Sequence, residues 1–305
     1  MKIAVVGAGA MGSVYAGILG DAGNEVWAVD VWAEHVDAIN AGGLTVEGAS
    51  GKRTVRIRAT SNPDEIGVCD LVVIATKARD VENAAERAKP LLGPDTVVLP
   101  IQNGLGSADR IASVLGDEAV AIGVAGGFGA SIVGPGHVHH NGWELVRLGE
   151  RHGPATLRIH RVAEAWADAG FRVQAYDDVE QLVWEKLICN VTFSGTCAVL
   201  ERTIGAVLDD PSAWQVASAC GTEAFAVAKA RGIALDFDDP VAYARAFGER
   251  ISAARPSMLL DVMAGRPCEI GVINGAIPPA AREDGLSAPV NEVVTALVRA
   301  KSPGS

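Results

Sequence analysis

The residues Gly7-Ala8-Gly9-Ala10-Met11-Gly12 place three glycines at the spacing G-x-G-x-x-G. The apolar run Ile3-Ala4-Val5-Val6 before them is of strand type, and the segment after them reads as a helix through about Leu19. In that setting each glycine has a task. The first permits a tight turn, the second lets the backbone approach a pyrophosphate, and the third lets the helix pack closely on the strand. The helix N-terminus adds free N–H groups and a partial positive charge. The implied chemistry is the holding of a dinucleotide by its phosphates; the alternative is a turn without a ligand. Asp30 ends the second apolar run, Glu25-Val26-Trp27-Ala28-Val29. A carboxylate there accepts hydrogen bonds from adenosine ribose hydroxyls and repels a 2′-phosphate, which favours NAD over NADP. Its alternative role is to cap the helix that begins near Ala33. Lys52, Arg53 and Arg56 are the cations that a neighbouring loop could bring to the same place.

A second set of residues lies in the apolar segment Leu182 to Ser194. Lys186, Asn190 and Ser194 are spaced i, i+4 and i+8, so on a helix they form one polar ridge. Burying a lysine there is costly unless it has a partner or a task, and an ammonium suits proton donation. The alternative is a solvated face with Glu185, Lys186 and Asn190 outward. A third set comprises Arg255-Pro256-Ser257-Met258-Leu259-Leu260-Asp261, then Glu269-Ile270 and Asn274-Gly275. Ser257 follows a proline and can cap a helix. Glu269 either faces a cleft or pairs with Arg266. His137 and His139 share one face of a strand, but no third ligand accompanies them, so no metal is expected. Trp143 and Trp184 are expected to approach a cleft.

The elements that must position these residues change character along the chain. Up to about residue 100, short apolar strands alternate with helical segments, and the run Asp70-Leu71-Val72-Val73-Ile74-Ala75 suits a strand buried on both faces. The pattern predicts a Rossmann-type, doubly wound sheet. Residues 44–60 suggest an antiparallel excursion, and Val138 to Leu148 have hairpin character. After about Ala175 the spacing is helical over 178–200, 212–231, 239–254, 257–264, 267–282 and 288–300. The fold class is therefore α/β, with a dinucleotide-binding domain over 1–176 followed by an all-helical substrate or catalytic domain over 177–305. The length, 305 residues, suits two domains. A net charge of −11 makes nucleic acid a poor partner. Five cysteines, an odd number without a CxxC pair, suit a reduced, cytoplasmic location. No apolar stretch is long enough to span a membrane.

The chain resembles the ketopantoate reductase (2-dehydropantoate 2-reductase) family over almost its whole length. The matching pieces run in the family's order. They are the glycine loop; Ala75-Thr76-Lys77-Ala78; Gln102-Asn103-Gly104; Gly134-Pro135-Gly136; Trp184-Glu185-Lys186-Leu187 with Asn190; Ser257-Met258-Leu259-Leu260-Asp261; and Glu269-Ile270 with Asn274-Gly275. The resemblance implies hydride transfer between NAD or NADP and C2 of a 2-oxo acid, with a small carboxylate substrate between the two domains, no metal, and a homodimer as a possible assembly. It implies Lys186 as the proton donor. It implies Asn103, Asn190, Ser194 and Ser257 as substrate-binding residues. Lys77, Asn103 and Glu269 then lie near the nicotinamide ribose and amide, with Gly7, Ala8, Gly9, Ala10, Met11, Gly12 and Asp30 on the rest of the cofactor. Two departures stand out. The family often has an arginine just after the second strand, where this chain reads Val29-Asp30-Val31-Trp32; it often has asparagine where Ser194 stands, and a polar residue near Ile204. The first turns the expectation toward NAD. The second leaves open a dehydrogenase of a different 2-hydroxy acid or sugar acid. A non-catalytic nucleotide sensor is the alternative of another class.

Overall fold

The computed structural model describes residues 1–127, 129–142 and 145–302 of the chain. Trp143 lies outside them. Contacts divide the chain into two units, Met1–Gln102 with Gly106–Val179, and Asn103–Leu105 with Glu180–Ser305. The division falls after Val179 rather than after residue 176. The short Asn103–Leu105 segment goes with the second unit because the Leu105 N–H donates to the Val272 carbonyl at 2.9 Å.

The first unit opens with β1 (Lys2–Val6), α1 (Ala10–Asp21), β2 (Glu25–Val29) and α2 (Ala33–Gly42). Next come β3 (Leu44–Gly48), β4 (Arg53–Val55), β5 (Arg58–Thr60), β6 (Leu71–Ile74), α3 (Val81–Ala88), β7 (Val97–Pro100) and α4 (Ser107–Leu115). The unit closes with β8 (Ala121–Ala125), β9 (Gly129–Gly134), β10 (His137–Gly142), β11 (Leu145–Glu150), α5 (Leu157–Asp168) and β12 (Arg172–Ala175). Five strands form a parallel sheet in the order β5-β2-β1-β6-β7. Its centre is apolar on both faces, as the unbroken run of Leu71 to Ile74 requires. Ile3, Val5, Leu71 and Val73 join one core with α1, while Ala4, Val6, Val72 and Ile74 join another with α3. A doubly wound sheet of this order carries its ligand at the carboxyl ends of the strands, where the order reverses.

The expected antiparallel excursion is present in part. β3 and β4 are antiparallel, but β5 returns to the main sheet parallel to β2. β3 also pairs parallel with β10, giving a second sheet in the order β4-β3-β10-β9. The hairpin is β9–β10; β11 leaves it to pair with β8 and β12. α1 packs against this second sheet, and a Cβ on Gly17 would lie 2.5 Å from the Val46 side chain. With eight consecutive residues buried, Gly12 to Leu19, α1 is an interior helix rather than an amphipathic one.

The second unit is helical. It contains α6 (Val179–Leu200) from Glu180 onward, α7 (Ile204–Asp209), α8 (Pro211–Ala230), α9 (Pro240–Arg250), α10 (Ser257–Met263), α11 (Ile277–Glu283) and α12 (Pro289–Lys301). The sequence-based helix over 267–282 is not continuous: two short 3-10 turns, Ile270–Val272 and Asn274–Ala276, precede α11. Gly271 and Gly275 weaken the helix, and Pro278 fits only in its first turn. α7 was not anticipated; Thr203 caps it by accepting from the Ala206 N–H at 3.3 Å. No described helix is long and apolar enough to cross a membrane.

Candidate active site

The candidate residues fall into two sets, one in each unit. In the first unit the three glycines occupy three distinct environments. Gly7 sits at φ +92°, and a Cβ on it would lie 2.6 Å from the Thr76 nitrogen. A Cβ on Gly12 would lie 2.0 Å from the Gly7 carbonyl oxygen. Gly9 differs: apart from its own chain neighbours and helix backbone, no heavy atom of the described residues lies within 4 Å of its would-be Cβ. Gly7 and Gly12 are therefore required by the fold, whereas the space over Gly9 is left open at the N-terminus of α1. Gly9 is the N-cap residue of α1, with no side chain capping it and no acidic residue in the first turn. That terminus presents unsatisfied N–H groups and the positive end of the helix dipole. Ala8 is buried, while Ala10 and Met11 are half-buried at the mouth.

Asp30 continues β2, and its N–H donates to the Thr60 carbonyl at 3.2 Å. Its Oδ1 accepts from the Trp32 N–H at 3.0 Å. Trp32, not Asp30, is the N-cap residue of α2, so the carboxylate closes a turn before the helix rather than capping it. The cations of the following loop are engaged elsewhere. Lys52 pairs with Glu47 at 3.2 Å, Arg53 with Asp21 at 2.8 Å, and Arg56 donates to the Ala41 carbonyl at 3.0 Å.

Lys77 is exposed on the loop after β6. Gln102 fixes that loop by donating from Nε2 to the carbonyls of Ile74 (2.6 Å) and Thr76 (3.1 Å). Thr76 Oγ1 and Gln102 Oε1 are buried and have no hydrogen-bond partner among the described residues. Two orphaned polar atoms beside a glycine loop with an open cradle are what a polar dinucleotide would satisfy, so the residues fit such a group.

In the second unit, α6 carries the polar ridge. Trp184, Leu187, Ile188 and Val191 are buried in its core, Ser194 is also buried, and Lys186 and Asn190 are half-buried. The solvated-face alternative fails for Glu185: it is buried, and its Oε1 accepts from Gln181 Nε2 at 3.0 Å and from the Asp236 N–H at 2.9 Å. Ser257 is exposed at the start of α10 and makes no capping bond. The next two residues anchor α10, with Met258 in the core around Trp184 and Leu259 in the core around Phe193, so both tie Ser257 to the neighbourhood of α6. Arg266 pairs with Asp261 at 2.9 Å. Glu269 is half-buried before the Ile270–Val272 turn. Gly104 is pressed against that turn: a Cβ there would lie 2.2 Å from the Val272 carbonyl oxygen. The structure thereby brings the Asn103 loop to the turn that Glu269 precedes.

Sequence reasoning singled out Asn274 without its task and missed the other groups that hold these residues in place. Asn274 is buried and donates from Nδ2 to the Val191 carbonyl of α6 (2.8 Å) and to Asn291 Oδ1 (2.9 Å). Glu223 accepts from the N–H groups of Val290 and Asn291 at the start of α12, each at 2.9 Å. In the first unit, His35 and Ser13 form a buried contact behind the glycine loop. Gly134-Pro135-Gly136 was visible as a motif, but its partner could not be read from spacing.

The sequence of the first unit and that of the second each match a family model. Residues 3–153 match Ketopantoate reductase PanE/ApbA, and residues 178–302 match Ketopantoate reductase PanE/ApbA C terminal. The chain belongs to the ketopantoate reductase family. It is accordingly an NAD(P)-dependent oxidoreductase. Among curated relatives it is 30% identical over 308 residues to the 2-dehydropantoate 2-reductase of Archaeoglobus fulgidus, covering 99% of this chain and 98% of that protein. Among solved structures it is similar to a PanE/ApbA family ketopantoate reductase from Ralstonia eutropha, with 34% identity, a TM-score of 0.90, and 99% and 98% of the two chains covered. It is also similar to D-mandelate dehydrogenase in a ternary structure with NADH and anilino(oxo)acetate, with 30% identity, a TM-score of 0.91 and the same coverage.

Proposed function

We propose that this protein reduces a 2-oxo acid to the 2-hydroxy acid with NADH in preference to NADPH, 2-dehydropantoate being the first substrate to test. The observation that carries the reading is the open cradle over Gly9 in one unit together with a half-buried lysine on an apolar helix of the other. The bound nicotinamide would supply or accept the hydride at the substrate's C2. The remaining roles belong to the chain. The first turn of α1 holds the pyrophosphate, and Asp30 holds the ribose hydroxyls. Lys77, Asn103 and Glu269 orient the nicotinamide end. Asn103, Asn190, Ser194 and Ser257 hold the substrate, Ser257 at its carboxylate. Lys186 Nζ stabilises negative charge on the substrate oxygen and donates a proton to it.

The NADH preference is supported by Asp30 and by the engagement of Lys52, Arg53 and Arg56 with other groups. A second reading, oxidation or reduction of a bulkier 2-hydroxy or 2-oxo acid, is favoured by the likeness to D-mandelate dehydrogenase and by serine at position 194. A panel of 2-oxo and 2-hydroxy acids with both cofactors, followed by nicotinamide absorbance, decides between them. A preference for NADPH would refute the role given to Asp30, and turnover undiminished in Lys186→Ala would refute the role given to Lys186.

A further inference from the structure

Behind the glycine loop lies a chain of buried hydrogen bonds whose direction is fixed by its far end. The Gly136 N–H, in the turn between β9 and β10, donates to His35 Nδ1 at 3.0 Å. A ring nitrogen that accepts carries no proton, so the proton of neutral His35 is on Nε2. Nε2 lies 3.0 Å from Ser13 Oγ and therefore donates to it. Ser13 Oγ in turn donates to the Ala8 carbonyl at 2.8 Å. His35 and Ser13 are fully buried, and the Trp32 ring stacks on the His35 ring with centroids 4.9 Å apart.

The consequence falls on the peptide between Ala8 and Gly9. In a planar trans peptide the C=O and the following N–H point in opposite directions. With the Ala8 oxygen drawn toward Ser13, the Gly9 N–H is turned away from it, at the residue whose would-be Cβ meets no other segment of the described residues. We infer that His35 is a positioning residue for dinucleotide binding: through Ser13 it holds the Ala8–Gly9 peptide with its N–H aimed at the cofactor phosphates. The inference rests on the glycine loop being the dinucleotide site. It also gives Gly134-Pro135-Gly136 a physical task, since the glycine at its end supplies the amide that sets the tautomer of His35.

Protonation of His35 would break the chain, because Nδ1–H would then face the Gly136 N–H. Burial holds the His35 pKa below the ordinary histidine value, and the one charge opposing this is Asp30. α1 presents the Ser13 hydroxyl to the ring, and the hairpin presents the Gly136 amide. The next residue, His137, is directed to Glu47 at 3.3 Å, while Glu34 and Asp37 on α2 itself are exposed.

The test is the dissociation constant for NADH of the full-length protein, read by fluorescence titration from pH 8 down to pH 5. The proteins compared are wild type, His35→Asn, Ser13→Ala and the double variant. Asparagine keeps an acceptor near the Nδ1 position but cannot reach Ser13. Each single variant is expected to weaken NADH binding about tenfold, the size of one lost hydrogen bond in the chain. The double variant is expected to be no weaker than the worse single one, because both break the same path. In turnover the loss appears in the KM for NADH more than in kcat. In wild type, binding weakens as the pH falls below the histidine range, and in His35→Asn that dependence is lost. If His35→Asn does not fold, Ser13→Ala reports on the same peptide and decides the question. Wild-type affinity and pH profile in Ser13→Ala, or full additivity in the double variant, would overturn the inference while leaving the glycine-loop site standing. Failure of the wild-type protein to bind either NADH or NADPH would overturn both.

Discussion

At the scale of the residue, the three glycines of the loop separate what the fold needs from what a ligand needs. Gly9 has an ordinary φ of −67° and open space, so Gly9→Ala adds a methyl group that meets no other segment of the described residues. Alanine is the poorer helix N-cap but restricts the unfolded chain, and these opposing effects leave stability within about 1 kcal/mol of wild type. The same methyl group occupies the approach to the pyrophosphate. Gly9→Ala is therefore expected to keep the denaturation midpoint and to lose most NADH affinity, measured by urea titration beside fluorescence titration. Gly12→Ala is expected to lose both, since its Cβ would fall on the Gly7 carbonyl oxygen. Equal loss of stability in the two variants would refute this distinction. The glycine tasks were legible in the sequence because the spacing within six neighbouring residues carries them, although the contact of Gly7 with Thr76 was not. The link from His35 to Gly136 was not, because it joins positions 101 residues apart.

At the scale of the element, α6 shows how a functional helix is held. Its ridge of Lys186, Asn190 and Ser194 was legible because polar residues at helical spacing interrupt an otherwise apolar run. What locks the helix was not, since the groups come from three other segments. Asn274 ties the Val191 carbonyl to Asn291, and Asn291 Nδ2 donates to the Cys220 carbonyl (3.0 Å) and to Glu223 (2.7 Å). Removing one member of such a network leaves its buried partners unpaired; Asn274 Oδ1 is itself buried without a partner among the described residues. Asn274→Ala is expected to lower stability by about 2 kcal/mol, read by urea denaturation, and to lower kcat/KM through misplacement of α6. Unchanged stability would mean that the network is dispensable. The interrupted segment 267–282 has a similar explanation. Its apolar residues follow helical spacing, but Gly275 lies against the Ile270 carbonyl, with a would-be Cβ at 2.9 Å, and the chain folds back in tight turns instead. Pairing across the second sheet was equally hidden, because β3 meets β10 only after some ninety residues of intervening chain.

At the scale of the whole molecule, the buried titratable groups make the protein sensitive to acid in two stages. His35 and His140 are both fully buried, and burial holds both pKa values below the ordinary histidine value. The unfolded chain then binds protons at these sites first, so stability falls as pH drops through about 6.5, by up to about 1.4 kcal/mol per pH unit for each group, until the folded-state values are reached. Glu150 acts lower. Burial raises its pKa, but the hydrogen bonds from Arg158 and Thr156 outweigh this and the net shift is downward. Arg158 Nε and Nη2 hold its two oxygens at 2.9 and 2.5 Å. A carboxylate with a depressed folded pKa contributes stability above its unfolded value and loses it as pH falls through the folded one. Urea denaturation at a series of pH values is therefore expected to show a decline that begins near pH 6.5 and a second one below about pH 4.3. Chemical denaturation suits this measurement, because the net charge of −11 at pH 7 vanishes near pH 5.0 and heating there promotes association. His35→Asn should flatten the first decline by about half, leaving the share of His140. Glu150→Gln should be about 2 kcal/mol less stable than wild type at pH 7, with the gap closing below the carboxylate range. A first decline of wild-type slope in His35→Asn would show that His35 is not neutral and buried in the folded state. The hydrogen-bond direction assigned behind the glycine loop would then be wrong as well.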